Sequence, residues 1–161
     1  MERFYELAKS VGQTLYVKGL LFATAESCTG GWIATCITAV PGSSKWFDRG
    51  FVTYSNEAKQ EMLGVLPHTI EANGAVSKAV VVEMAEGALR NSRADYSIAV
   101  SGIAGPDGGT QDKPVGTVWI AWAIKGELTQ AKKYAFTGDR EAVRAQTVEA
   151  ALTQLNNQLF K

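Results

Sequence analysis

Residues 20–31 read LLFATAESCTGG, a short apolar run followed by hydroxyl side chains and two glycines. The apolar run predicts a β-strand over residues 20–23, and residues 32–37 have apolar side chains at helical spacing. Glycine allows the backbone to approach a ligand closely, and the unpaired N–H groups at the start of a helix attract negative charge. The stretch therefore predicts a strand-to-helix turn that binds an anion, with Thr29 and Gly30 beside it.

A second polar loop, residues 101–109, has the sequence SGIAGPDGG and follows a strand-like run at residues 96–100. We expect the two loops to lie at the ends of strands and to share one pocket. Ser101, Gly102 and Gly105 are the candidate contacts from this loop. The combination of hydroxyls and glycines favours a small, polar, phosphorylated ligand.

Helices and strands alternate along the rest of the chain. Leu7, Val11 and Leu15 predict an amphipathic first helix, and Pro41 ends the helix after the first loop. Strands are predicted at residues 50–54, 96–100 and 116–123, and residues 129–136 form a hairpin with the last of these. Further helices are predicted at residues 56–63, from Ser77 onward and from Gly138 onward. This order predicts an α/β fold, a three-layer α/β/α sandwich with a mixed sheet.

The chain has 161 residues, enough for one domain with a substantial core and too few for two ordinary ones, so we expect a single domain over residues 1–161. The 16 basic and 16 acidic side chains cancel, which argues against a broad surface for nucleic acid. No apolar run is long enough to cross a bilayer, and residues 1–6 lack the apolar stretch of a signal peptide. We therefore expect a cytoplasmic protein with neither a nucleic-acid nor a membrane partner.

Histidine and cysteine are scarce in this chain. His68 is the only histidine, which excludes a metal site built from several histidines. Cys28 and Cys36 are eight residues apart, which is not a zinc spacing, and a disulfide is unusual in the cytoplasm. We expect two reduced thiols, with the pKa of Cys28 lowered because it stands at a helix start. Neither a metal nor another cofactor is predicted.

Hydroxyl side chains, one lysine and one arginine are the remaining candidates for chemistry. The sequence has no Gly-Lys-Ser/Thr phosphate loop and no Gly-x-Ser-x-Gly nucleophile turn. Ser43 and Ser44 begin a short helical turn whose free N–H groups suit an oxyanion. Tyr54 ends a strand and Lys59 lies about one helical turn beyond it, so both are candidates for one cleft. A partly desolvated lysine acts as a base toward a serine hydroxyl, with tyrosine relaying the proton.

Five segments, in order and with matching spacing, resemble the CinA C-terminal domain family. They are TAESCTGG at residues 24–31, PGSS at 41–44, GFVTYSNEAK at 50–59, GAVS at 74–77 and SGIAGPDGG at 101–109. The resemblance extends from Leu7 to the last helix, which is nearly the whole chain. Larger members carry an additional N-terminal domain, which we do not expect in a chain of this length.

The resemblance implies an amidohydrolase that converts nicotinamide mononucleotide into nicotinate mononucleotide and ammonia, as part of pyridine-nucleotide recycling. It implies that Ser44 is the nucleophile and that Lys59 and Tyr54 activate it. One alternative stays open, in which Ser27 is the nucleophile and Ser44 only holds the substrate. The substrate-binding candidates are Ser27, Thr29, Gly30, Ser43, Ser101, Gly102, Gly105 and Arg140, the last at the 5′-phosphate.

Two other classes of protein are alternatives to a serine amidase. A non-catalytic nucleotide-binding module, linked to the competence and DNA-damage responses for which the family is named, needs Arg140 and the loops but not Lys59. A cysteine amidase using Cys28 is disfavoured because no histidine lies nearby in the sequence to activate the thiol. We expect a homo-oligomer. Its interface is a candidate place for Trp46, Phe47, Trp119 and Trp122, although burial of these aromatic side chains in the core is the simpler explanation.

Overall fold

A computed structural model describes residues 2–161; Met1, the first residue of the predicted domain, lies outside the described residues. The helices are α1 (Tyr5–Lys18), α2 (Trp32–Thr38), α3 (Asn56–Leu63), α4 (Pro67–Asn73), α5 (Lys78–Arg90) and α6 (Arg140–Leu159). The strands are β1 (Phe22–Glu26), β2 (Phe47–Val52), β3 (Tyr96–Gly102), β4 (Thr117–Ile124) and β5 (Gln130–Ala135). Short 3-10 turns span Glu2–Phe4 and Ser43–Lys45.

The strands form one mixed sheet in the order β2-β1-β3-β4-β5. β1 runs parallel to β2 on one side and to β3 on the other, while β4 and β5 are each antiparallel to the strand before them. Parallel neighbours need a helical connection to return the chain, whereas β4 and β5 are joined by a short turn. Because β1, β2 and β3 point the same way, the segments that follow them emerge at one edge of the sheet.

Helices cover both faces of the sheet. Phe22 and Ile98 point to one face, where they share a core with residues of α1, α2 and α6. On the other face, Ala25, Ala99 and Ala121 are direct neighbours across three strands. Their small side chains let α5 pack close to the sheet. The predicted three-layer α/β/α sandwich with a mixed sheet is confirmed.

The structure differs from the sequence predictions at strand boundaries, and for two of the tryptophans it supports the simpler expectation of burial. β1 begins and ends later than residues 20–23, and β2 begins before residue 50. Trp46 is buried against Gly12, where an added Cβ would lie 2.6 Å from the indole. Trp122 is buried too, and its Nε1–H donates to the carbonyl of Ala151 at 3.0 Å. These two indoles therefore belong to the core and are not available as interface residues.

Within residues 2–161, none of the helices combines the length and the apolar character that crossing a membrane requires.

Candidate active site

A cavity of about 270 Å³ lies at the edge of the sheet where β1, β2 and β3 end. Ligands of α/β proteins bind at the carboxyl ends of parallel strands, so the topology alone marks this edge. The cavity joins both glycine-rich loops with the segment after β2 and the start of α6. Its lining residues are Ser27, Cys28, Tyr54, Asn56, Lys59, Ala75, Val76, Ser101, Gly102, Ile103, Ala104, Gly105, Asp107, Gly108 and Arg140.

Lys59 is a buried lysine in the first turn of α3, with only 1% of its surface exposed. The helix starts at this point because Ser55 caps it, accepting a hydrogen bond from the N–H of Ala58 at 3.0 Å. Lys59 Nζ donates to Ser27 Oγ at 3.1 Å and to the carbonyls of Thr53 (3.1 Å) and Tyr54 (3.2 Å). Burial lowers the pKa of Lys59 below its ordinary value, because the cavity wall solvates an ammonium ion less well than water does.

Ser27 is the serine that the fold brings to this lysine. It follows β1 directly, and its N–H donates to the carbonyl of Val100 in β3 at 3.1 Å, which fixes the start of the loop. The rest of the loop is held by Arg144 of α6, whose guanidinium donates to the carbonyls of Cys28 (3.0 Å) and Thr29 (3.1 Å). A nucleophile and a base within hydrogen-bond distance form the arrangement needed for covalent catalysis.

Ser43 and Ser44 lie at the opposite edge of the sheet from Lys59. Both precede β2, in the 3-10 turn Ser43–Lys45, whereas Tyr54 and Lys59 follow it. The six residues of β2 separate the two positions, a strand length of roughly 20 Å. Ser44 is exposed, and neither serine lines the cavity. The expected pair of Ser44 and Lys59 is therefore not formed, and the alternative with Ser27 is the one that the geometry supports.

Tyr54 and Arg140 meet at the mouth of the cavity. The phenol oxygen of Tyr54 accepts a hydrogen bond from Arg140 Nη2 at 3.0 Å, and its side chain is 62% exposed. Arg140 Nη1 donates to the carbonyl of Gly105 at 2.8 Å, so the same guanidinium also contacts the second glycine loop. Tyr54 contacts Lys59 through its backbone carbonyl only, which does not match the expected proton relay by the phenol.

Thr29 and Gly30 do not line the cavity, and the reason is a buried carboxylate. Glu26, at the end of β1, turns back and accepts hydrogen bonds from the N–H groups of Ile33 (2.9 Å) and Ala34 (3.0 Å) at the start of α2. The hydroxyl of Thr29 donates to the same carboxylate and is fully buried. The expected anion site at this helix start is thus occupied by the protein's own carboxylate, and Thr29 has a structural contact instead of a ligand contact.

The second glycine loop forms the far wall of the cavity, as expected. Ser101 Oγ–H donates to the carbonyl of Ala75 at 2.9 Å, which ties the loop to the segment before α5. Gly102 is required here, since an added Cβ would lie 2.5 Å from the side chain of Val118. Gly105 has a φ of +84°, a left-handed conformation that side chains rarely adopt. Ser101, Gly102 and Gly105 all line the cavity.

Cys28 lines the cavity, but it is not poised as a nucleophile. Burial, reinforced by the negative charge of Glu26, raises the pKa of the Cys28 thiol to about 12. The thiol is therefore protonated at neutral pH and its thiolate is scarce. The expectation of a lowered pKa at a helix start is wrong, because burial, with the charge of Glu26, raises the pKa of this thiol more than the nearby positive groups lower it.

Asn56 and Asp107 line the cavity although they were not among the candidates. Asn56 is the first residue of α3, three positions before Lys59, and Asp107 lies in the second glycine loop. Both stand inside segments that carried the family resemblance, which was the available signal. Ala75 and Val76 also line the cavity and lie in the GAVS segment, where no polar side chain drew attention to them.

Comparison with known proteins agrees with the fold. Residues 4–159 match the family model described as the CinA C-terminal domain. The chain is 54% identical over 156 residues to a nicotinamide-nucleotide amidohydrolase, PncC, of Escherichia coli K12, covering 97% of this chain and 94% of that protein. It is 52% identical to the protein of the same name from Enterobacter agglomerans, covering 99% and 98% of the two chains.

A solved structure has the same fold. It is that of the competence/damage inducible protein CihA from Agrobacterium tumefaciens, with a TM-score of 0.95 at 43% identity, covering 98% of this chain and 96% of that one. Sequence and structure thus match over nearly the full length of each relative, and the chain belongs to the CinA C-terminal domain family.

Proposed function

We infer that this chain is an amidohydrolase that converts nicotinamide mononucleotide and water into nicotinate mononucleotide and ammonia. The observation that carries this inference is the hydrogen bond of 3.1 Å between the buried Lys59 Nζ and Ser27 Oγ, inside a cavity that ends at Arg140. It unites a nucleophile, a base and a cation for a phosphate in one cavity. The relatives at 52–54% identity are named for hydrolysis of a nicotinamide nucleotide, which agrees with this chemistry.

In the first half of the proposed reaction, Ser27 is acylated. Neutral Lys59 accepts the proton of the Ser27 hydroxyl while Oγ attacks the carboxamide carbon. The resulting oxyanion needs donors, and the N–H of Cys28, the residue after the proposed nucleophile, is the nearest candidate along the chain. The lysine then returns its proton to the departing nitrogen, so that ammonia leaves and an ester remains on Ser27.

In the second half, water releases the acid. Lys59 accepts a proton from water while the water oxygen forms a bond to the ester carbon. The bond between that carbon and Ser27 Oγ then breaks. The proton on Lys59 returns to Ser27 Oγ, so the enzyme is regenerated and one water has been consumed. Lys59 is able to serve in both halves because burial lowers its pKa and so makes the neutral amine accessible.

Arg140 is the proposed contact for the 5′-phosphate. A guanidinium has five N–H donors, and two of them are used by Gly105 and the Tyr54 phenol. The others are free to form charge-assisted hydrogen bonds with phosphate oxygens. We propose that Tyr54 orients this guanidinium rather than relaying a proton.

We further propose that the enzyme is cytoplasmic and assembles from several copies. Two free, buried thiols, Cys28 and Cys36, suit a reducing compartment. Exposed apolar side chains lie at the end of the edge strand β2 (Val52), in α3 (Met62) and just after α3 (Leu66), and these support an interface there.

The activity is tested by incubating the purified protein with nicotinamide mononucleotide and measuring both products. We expect ammonia and nicotinate mononucleotide in equal amounts, with the same rate when EDTA is added. A folded protein that binds the nucleotide but releases no ammonia would overturn the proposal in favour of a non-catalytic nucleotide-binding module.

Replacing Arg140 by alanine tests the phosphate contact. We expect KM for nicotinamide mononucleotide to rise about 10- to 100-fold, because a charge-assisted hydrogen bond contributes about 1.5–3 kcal/mol. The matched substrate is nicotinamide riboside, which lacks the phosphate, and its kcat/KM should change little. An equal loss for both substrates would instead mean that Arg140 only holds the loop at Gly105.

A further inference from the structure

A second cavity, of about 250 Å³, lies beside the candidate active site. The segment of residues 74–77, which we call the strap, separates the two cavities. Val76 of the strap lines both of them. The second cavity is close in volume to the first, about 270 Å³, so it accommodates a ligand of similar size.

Positive charge is concentrated around this cavity. Lys78 begins α5, Lys113 lies in the loop before β4, and Lys133 lies on β5. Among residues 2–161, none of these ammonium groups has a carboxylate within 4.0 Å, although Asp112 also lines the cavity. The first turn of α5 contains no acidic residue, so the positive end of this 13-residue helix adds to the same potential.

An aromatic surface lies next to these lysines. Trp119 on β4 lines the cavity and is only partly buried. It is the direct cross-strand partner of Lys133, so the two side chains stand on the same face of the sheet. An indole offers a face on which a planar ring stacks, while the ammonium groups bind an anion attached to it. A ring joined to a phosphate is the chemistry of a nucleotide.

Two hydrogen bonds, one to the residue just before the strap and one to the strap itself, connect this cavity with the candidate active site. Lys113 Nζ donates to the carbonyl of Asn73, at the end of α4, at 2.6 Å. On the other side, the carbonyl of Ala75 accepts a hydrogen bond from the hydroxyl of Ser101, a residue that lines the first cavity. An anion that draws Lys113 toward itself weakens the hydrogen bond to Asn73. Because Asn73 directly precedes the strap, this changes how firmly the strap is held.

We propose that this second cavity is a binding site for a nucleoside monophosphate, separate from the substrate cavity, and that its occupancy is transmitted through the strap. The ring stacks on Trp119, and the phosphate is held by Lys78, Lys113 and Lys133. The site does not depend on the proposed amidase activity, since it uses none of the catalytic residues.

The test is calorimetric titration of the full chain with adenosine 5′-monophosphate and, in a separate arm, with inorganic phosphate. The decisive variant is Lys133→Glu, and its matched control is Lys132→Glu. Both lysines are exposed neighbours on β5, but strand alternation puts Lys132 on the opposite face, where it lines a different groove. Lys78→Glu is a second variant, because an acidic residue suits the first turn of a helix and the fold should be kept.

We expect Lys133→Glu and Lys78→Glu each to weaken binding of the monophosphate at least about tenfold, with Lys132→Glu within about twofold of wild type. Inorganic phosphate should bind at least about tenfold more weakly than the nucleotide, since it lacks the ring. With nicotinamide mononucleotide as substrate, the monophosphate should change KM in wild type but not in Lys133→Glu.

Three results would overturn the proposal. They are an absence of saturable binding to the folded wild type, equal affinity of Lys133→Glu and Lys132→Glu, and an unchanged KM in the presence of a monophosphate that binds. The second result would mean that the nucleotide occupies the substrate cavity. The binding arms remain informative even if ammonia release is not observed, so failure of this proposal and failure of the amidase assignment are distinguishable.

Discussion

Replacing Ser27 by alanine is expected to lower kcat for nicotinamide mononucleotide by at least about a thousandfold, because the variant has no oxygen to form the acyl intermediate. The change is local. Ser27 is buried next to Lys59, and the lysine keeps its two carbonyl acceptors, Thr53 and Tyr54, when the hydroxyl is removed. The protein should therefore stay folded, and the loss should appear in kcat rather than in the affinity for the nucleotide.

The matched control is Ser44→Ala, which removes the same hydroxyl at the opposite edge of the sheet. Ser44 is exposed and does not line the cavity, so its turnover should stay within about twofold of wild type, as for most surface substitutions. Steady-state kinetics of the two variants, with circular dichroism to verify folding, decides between the serines. A large loss in Ser44→Ala with normal turnover in Ser27→Ala would return the nucleophile to Ser44.

Replacing Lys59 by methionine should also reduce turnover by at least about a thousandfold, at every pH. Methionine has an unbranched side chain of similar length but no amine, so it fills the space and cannot accept a proton. The carbonyls of Thr53 and Tyr54 each lose their hydrogen bond from Lys59. This should lower the free energy of unfolding by about 1–3 kcal/mol unless water from the cavity replaces the lost donor. Thermal melting and ammonia release measure the two effects separately.

The pH dependence of the wild-type rate tests whether the neutral amine of Lys59 is the base. Only the neutral amine of Lys59 accepts a proton, so kcat/KM should rise with pH through the pKa of Lys59. Burial lowers that pKa, so the inflection should lie below the ordinary lysine range. In the same interval the unfolded chain binds a proton that the folded chain does not, so the free energy of unfolding should also rise with pH. A rate with no inflection below the ordinary lysine pKa would exclude Lys59 as the base.

The arrangement of layers and most of the site were predictable because they depend on local patterns. Apolar periodicity marks the helices, and the glycine-rich loops follow strands, so Ser101, Gly102 and Gly105 were correctly expected at one cavity. Lys59, Tyr54 and Arg140 were also expected there, and they do line it. These residues come after strands that run in the same direction, and sequence patterns locate strand ends well enough for that.

Local patterns do not decide between Ser27 and Ser44, because the choice depends on whether β1 and β2 run in the same direction. Only the parallel pairing of β1 with β2 puts Ser27, which follows β1, beside Lys59, which follows β2, while Ser44 stays at the other end of β2. Thr29 and Gly30 lie outside the cavity, and sequence patterns miss this for a different reason. A helix start with free N–H groups looks like an anion site in any sequence, and only the tertiary structure reveals that Glu26 already fills it. Buried carboxylates that turn back on their own loop leave no periodic signature.

Arg140 and Arg144 stand one turn apart on α6, and they have a consequence for how the enzyme is made. Their contacts reach Tyr54 and Cys28, 86 and 116 residues earlier in the chain. During synthesis, Ser27 and Lys59 leave the ribosome long before α6 exists. A nascent chain thus has the proposed nucleophile and base without Arg144, which holds the loop, and without Arg140, the proposed contact for the phosphate. The site becomes competent only when the final helix has been translated and has docked.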